Sequence, residues 1–204
     1  MEKIYETAYA KINLGLDVLG KRSDGYHEVR MVMQSVGLSD AVEIEEGEGL
    51  VVETDHSGLA GGPDNLAWKA AELLARCCGK IPNVHIRLNK KIFLAAGLAG
   101  GSSDAAAVMR GLSRLWQLDL TAPELEKLAA ELGSDIPFCI TGGTALAEGR
   151  GEILTELPEA PELLLVLAKP KLEVATGWVY GNFRQQKVNQ RPDIDGIIKA
   201  LEQS

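Results

Sequence analysis

A run of glycines and small residues, Gly97-Leu98-Ala99-Gly100-Gly101-Ser102-Ser103-Asp104, carries the plainest chemistry in this sequence. Glycines let a backbone approach an anion closely, and the helix that follows presents its unpaired N–H groups to that anion. The hydroxyls of Ser102 and Ser103 are suited to capping that helix or to donating to phosphate oxygens. The spacing is not that of a dinucleotide fingerprint, whose second glycine would fall on Ala99. Nor is it that of a Walker A loop, because no lysine follows the last glycine. Without a ligand, the same run would be a tight strand-to-helix connection. Other polar groups of suitable type lie far off in sequence. Lys11 and Asn13 alternate with Ile12, Leu14, Leu16 and Val18, so the two share one face of a strand, opposite an apolar core face. Asp135 follows Gly133-Ser134 and precedes Pro137, a helix-start pattern in which capping is the plain alternative to chemistry. Tyr26 and His27 follow the turn Ser23-Asp24-Gly25, where such residues are commonly no more than surface side chains.

The surrounding elements must bring these groups together. Strand-like runs cover residues 29–36, 41–44 and 50–53. Asp64 or Asn65 is placed to cap a helix over 66–78, and Gly79 to stop it. Val84, Ile86 and Leu88 alternate with His85, Arg87 and Asn89 as in a further strand. From near Ser102, Ala105, Val108, Met109, Leu112, Leu115 and Trp116 recur at spacings of three and four, the stripe of a buried helix face. Thr121 and Glu124 are spaced as a capping box, Pro123 fits a first turn, and Gly133 ends the next helix. A strand is expected over 144–147, a linker at Pro158 and Pro161, and a buried strand over 163–168. Strands, then helices, then strands make the class α+β, with a division into 1–157 and 158–204.

The 204 residues are 46% apolar and 25% charged, an ordinary globular balance. The net charge of −8 argues against general binding to nucleic acid or anionic membrane, while leaving room for a small anion held by local positive potential. The longest strongly apolar run has six residues, 163–168, too short to span a bilayer, and no secretory signal opens the chain. Cys77, Cys78 and Cys139 form neither a disulfide framework nor a metal-binding spacing, so a soluble cytoplasmic protein is expected.

The segment Ala95-Ala96-Gly97-Leu98-Ala99-Gly100-Gly101-Ser102-Ser103-Asp104-Ala105-Ala106 resembles the phosphate loop of the GHMP kinases. Three further segments narrow the resemblance to the members that act on 4-diphosphocytidyl-2-C-methyl-D-erythritol in non-mevalonate isoprenoid synthesis. They are Ala8-Tyr9-Ala10-Lys11-Ile12-Asn13-Leu14-Gly15-Leu16, Asp24-Gly25-Tyr26-His27-Glu28 and Gly133-Ser134-Asp135-Ile136-Pro137-Phe138. The match runs from about Tyr5 to Tyr180. It implies the GHMP-kinase fold, a ribosomal-protein-S5-domain-2-like N-terminal lobe over 1–157 and the start of a ferredoxin-like lobe over 158–204. It implies Asp135 as the general base and Lys11 as its partner. It implies ATP, entering with Mg2+, against Phe93, Leu94 and the loop through Ser103, with Asn65, Leu66 and Trp68 near the adenine. On the substrate side it implies Asn13, Tyr26, His27, Thr176 and Tyr180, the histidine reading the cytosine edge and an aromatic ring stacking on the base. Lys90 or Lys91 could reach the nucleotide, or be a solvated pair; no protein ligand to the metal is implied.

Two departures stand out. Phe93 occupies a position where the family usually has proline, and nothing after Tyr180 matches the family's C-terminal glycine-rich motif. The resemblance therefore implies a truncated chain and a poor kinase. A nucleotide-binding lobe without activity is the alternative, and another GHMP kinase a further one; the Gly25-Tyr26-His27 turn speaks against mevalonate or homoserine, which carry no base to stack.

Overall fold

Two strands much longer than the apolar runs suggest form the spine of the computed structural model, which describes residues 3–171, 174, 176–184 and 188–203. β1 (Lys3–Lys21) and β2 (His27–Glu46) pair antiparallel, from Lys3 opposite Glu45 to Lys21 opposite His27. The break expected after residue 36 is absent. Tyr9 lies opposite Ser39 and Lys11 opposite Ser35, so two steps along β1 match four along β2 and the surplus residues bulge. The bulge reverses the parity of β2. Ahead of it Val29, Met31 and Met33 pack with Phe138; beyond it Val42 and Ile44 pack beneath the helices. An uninterrupted period of two would have turned one of these sets outward. β1 registers the same irregularity, because Ala8, Ala10 and Lys11 are all buried.

β3 (Leu50–Thr54) runs parallel to β4 (Val84–Asn89), whereas β5 (Thr144–Glu148) and β6 (Ile153–Glu156) join antiparallel. The path is β3-β4-β2-β5-β6, with β1 along β2. The helices start and stop where local chemistry says they should. α1 (Leu66–Cys78) opens on Asn65, whose side chain accepts the Ala67 N–H at 2.9 Å, and closes on Gly79 at φ 63°. α2 (Gly100–Leu115) begins two residues ahead of Ser102. At the start of α3 (Ala122–Ala129), Glu124 accepts the Thr121 N–H and hydroxyl at 2.8 and 2.7 Å; the helix ends at Ala129 and only turns lead on to Gly133. α4 (Ile136–Thr141) follows.

Ala70, Leu74, Val108, Met109, Leu112 and Ile136 pack on Val42, Ile44, Val84, Ile86 and Leu88, forming the main core between helices and sheet. The opposite face at that end is solvated, with Arg87 bridging Glu43, Glu45 and Glu53. At the other end α6 (Ile194–Glu202) covers the outer face, where Ile194, Ile197 and Leu201 meet Val32 and Leu14. The expected core face of β1 is thus only partly covered, and Leu16 remains 36% exposed. α5 (Thr176–Asn182) precedes α6 in the chain.

One expectation fails outright. Residues 163–168 form no strand, and Leu164 and Val166 are 98% and 96% exposed. An apolar run becomes a strand only where a neighbour takes its backbone groups, and among the described residues no strand pairs with it. Leu112→Ala in the main core, where the side chain is fully buried, lowers the unfolding free energy by about 2–5 kcal/mol. Urea titration of the purified variant checks this; a loss under about 1 kcal/mol would mean that the site collapses around the cavity.

Candidate active site

The edge of β1 that faces away from β2 is occupied by α2 and the glycine loop. Three carbonyls at alternate positions accept side-chain donors from one face of the helix: Tyr9 from the Ser103 hydroxyl at 2.6 Å, Thr7 from Arg110 at 3.0 Å, and Tyr5 from Arg114 at 3.1 Å. At the next alternate position the direction reverses, and the Lys11 N–H donates to the Leu98 carbonyl at 3.1 Å. Glu6 holds both arginines in place. Strand, helix and loop are thereby locked in register, with Lys11 against the loop.

Lys11 is not the solvated strand lysine that simple alternation suggests. Its side chain is 6% exposed, and its ammonium lies 3.6 Å from Asp135 Oδ2 and 3.2 Å from Asn13 Oδ1. Asp135 precedes α4 but makes no capping hydrogen bond with its side chain, so the carboxylate is turned to Lys11. Four residues on, the Cys139 sulfur lies 3.3 Å from the Ser103 hydroxyl oxygen, and burial pushes its thiol up to about 11. It packs as an apolar side chain.

The loop has an unusual backbone. Ala95, Gly97 and Ala99 have φ of 50°, 72° and 59°, while the residues between them keep negative φ. Alternation in the sign of φ is the pattern from which anion-binding nests are built, and α2 begins directly after it. The two alanines are held in a conformation that costs a non-glycine residue about 1 kcal/mol or more. A Cβ on Gly100 would lie 3.0 Å from the Ile92 side chain, which would have to give way to it. Phe93 and Leu94 join His56, Lys90, Lys91, Ile92 and Lys169 around a groove of about 280 Å³ on the loop's flank.

Several expected contacts are already committed elsewhere. Ser103 is 1% exposed and gives its hydroxyl to β1, which leaves Ser102 as the outward hydroxyl of the pair. The Asn65 side chain both caps α1 and donates to the Ala60 carbonyl at 2.8 Å. Leu66 packs on the core next to Gly101, and the Trp68 indole N–H is buried with no partner among the described residues. Lys90 is buried rather than solvated.

The substrate-side residues are brought together in part. The rings of His27 and Tyr180 lie 5.2 Å apart at 31°, although 153 positions separate them (180 minus 27). Burial, and secondarily the nearby Asp135 charge, push the Tyr180 phenol up from its ordinary value. Tyr26 stays apart, 53% exposed beneath the Arg150 guanidinium at 4.9 Å. Thr176 opens α5, but its side chain lies outside the described part. Phe183, edge-on to His27 at 6.3 Å, and Arg150 escaped the sequence reading; the flanking Gly149 and Gly151 were the one local sign of the latter.

Ser103→Ala strands the Tyr9 carbonyl without its donor and costs about 1–3 kcal/mol of stability. Chemical denaturation measures it; an unchanged midpoint would mean that water replaces the hydroxyl.

Residues 65–143 match the GHMP kinases N terminal domain. A 4-diphosphocytidyl-2-C-methyl-D-erythritol kinase of Acetivibrio thermocellus is 48% identical over 202 residues, covering 98% of this chain and 71% of its own. The enzyme of the same name from Geobacillus kaustophilus is 48% identical over 198 residues, covering 96% and 68%. A crystal structure of 4-(cytidine 5'-diphospho)-2C-methyl-D-erythritol kinase superposes with a TM-score of 0.78 at 35% identity, over 98% of this chain and 72% of that one. Homoserine kinase from Cytophaga hutchinsonii shares the fold at 18% identity, with a TM-score of 0.69 over 98% of this chain and 68% of its own. No helix among the described residues is long and apolar enough to cross a membrane. With this identity spread over nearly its whole length, the chain belongs to the GHMP kinases and, among them, to the 4-diphosphocytidyl-2-C-methyl-D-erythritol kinase family.

Proposed function

We propose that the chain phosphorylates the 2-hydroxyl of 4-diphosphocytidyl-2-C-methyl-D-erythritol, with ATP supplying the γ-phosphoryl group. The observation that carries this is the Lys11–Asp135 pair, 3.6 Å apart, set between a nest-forming loop and a His27–Tyr180 aromatic pair. Phosphoryl transfer asks an enzyme mainly for alignment and charge neutralisation. The N–H groups of the loop and the first turn of α2 hold the phosphates. Asp135 accepts the proton of the attacking hydroxyl as the new O–P bond forms and the bond to the departing diphosphate breaks. Lys11, tied to the loop through its own backbone, neutralises charge on the transferring group and orients the Asp135 carboxylate. His27 meets the cytosine edge, and Tyr180 offers a face on which the base stacks. Phe93, Leu94, Lys91 and Lys169 of the adjoining groove flank the nucleotide. Among the described residues no three His, Cys, Asp or Glu side chains cluster to hold a metal ion, so Mg2+ would arrive on the phosphates of ATP with few protein ligands of its own.

Asp135→Asn keeps the shape of the acid but cannot take a proton. Turnover with the cytidyl alcohol falls by about 10²–10⁴, while calorimetric ATP affinity stays within a few fold; turnover at the wild-type rate would remove Asp135 from its role. His27→Ala weakens the cytidyl substrate by roughly 1–3 kcal/mol and leaves ATP untouched. Equal weakening of both ligands would make the turn a structural element instead.

A further inference from the structure

Behind the glycine loop lies a buried ionic cluster that the phosphoryl-transfer scheme leaves unused. The side chains of Lys90, Asp40 and Asp104 are 1%, 0% and 2% exposed. The Lys90 ammonium contacts Asp40 Oδ2 and Asp104 Oδ2 together. The other oxygen of Asp40 accepts the backbone N–H of Lys91 and, at 2.8 Å, that of Ile92. Three elements are joined in this way: β2 through Asp40, the chain leading into the loop through residues 90–92, and the second turn of α2 through Asp104. The ammonium reaches the loop itself, for a Cβ placed on Gly100 would lie 3.6 Å from it. Asp104 Oδ1 is buried with no hydrogen-bond partner among the described residues.

The charges do not balance. Two carboxylates face one ammonium, so the cluster is neutral only while one acid carries a proton. Ionisation of both leaves a net negative charge directly behind backbone N–H groups arranged to receive an anion. Burial raises Asp104 from 3.8 to about 7, Lys90 opposing the rise and the like charge of Asp40 adding to it. Lys90, from the segment after β4, and Asp40, from β2, are the charged groups acting on Asp104.

We propose that Asp104 is a positioning residue for the phosphate-binding loop, and that its proton sets the charge behind the loop and so the loop's affinity for a nucleotide polyphosphate. This rests on the reading of the loop as the nucleotide site. The direction follows from the charge. Below about pH 7 Asp104 keeps its proton, the cluster is neutral and the anion is held; above it the proton is lost and the anion is repelled. Binding of the nucleotide in turn favours the protonated acid.

The test is calorimetric titration of the 204-residue chain with ATP, without acceptor, at about pH 6, 7 and 8. Asp104→Asn imitates the protonated acid in shape and charge. From the lowest to the highest pH, wild-type affinity should fall about three- to tenfold further than that of Asp104→Asn, the order of size expected for one added unit charge acting through an intermediate dielectric. ATP's own titration is common to both proteins and cancels in the ratio. Asp40→Asn removes the like charge, lowers the Asp104 pKa and moves the wild-type fall to lower pH; it also serves if Asp104→Asn does not fold. Parallel pH profiles for wild type and Asp104→Asn, or an unmoved midpoint in Asp40→Asn, overturn this proposal alone. Failure of ATP to bind at any pH overturns the nucleotide reading and this proposal with it.

Discussion

The Lys11 N–H donates to the Leu98 carbonyl at 3.1 Å, and the arrangement of the candidate active site follows from that bond. It fixes the strand carrying the buried ammonium against the loop proposed to carry the phosphates. Ser103 adds a second tie two positions back on β1, and Arg110 and Arg114 extend the contact up the helix. Each bond is worth about 1 kcal/mol on its own. Together they remove the sliding freedom between strand and helix, and alignment is where most of the catalytic advantage in phosphoryl transfer resides.

The bulge in β2 makes that alignment possible. A lysine in a regular half-buried strand would alternate out to solvent with Asn13. Because the β1–β2 register slips between Tyr9 and Lys11, the ammonium lies inside instead, at 6% exposure. Burying a cation is costly unless partners meet it, and Asp135 and Asn13 do. The side of Asp135 that Lys11 does not use is still open, its side chain 36% exposed, and that is where a substrate hydroxyl can approach.

What was legible in the sequence was local. Asn65 and Gly79 bound α1, Glu124 caps α3, and Val84, Ile86 and Leu88 alternate as they stand in β4, because each depends on neighbours within a few residues. The glycine loop was equally plain, and its likeness to a known phosphate loop supplied the partners that spacing could not. The failures are nonlocal. Nothing near Gly37 announces that β2 runs on through a bulge, since the reason lies in β1. Lys90 looks like half of a solvated pair until Asp40 and Asp104 are folded against it. Residues 163–168 read as a buried strand on hydropathy alone, and hydropathy does not provide the neighbouring strand that would bury them.

The capped edge of β1 also bears on how the chain behaves among its own copies. An edge strand with free carbonyls is a template on which another chain can add a strand, the usual first step of domain swapping and fibril growth. On β1 the outward carbonyls of Tyr5, Thr7 and Tyr9 are engaged by Arg114, Arg110 and Ser103, and a charged helix covers the approach. The contacts that hold the loop to its lysine thus also deny the first half of the longest outer strand to an intruding chain, so registration of the site and resistance to aggregation there are properties of one seam.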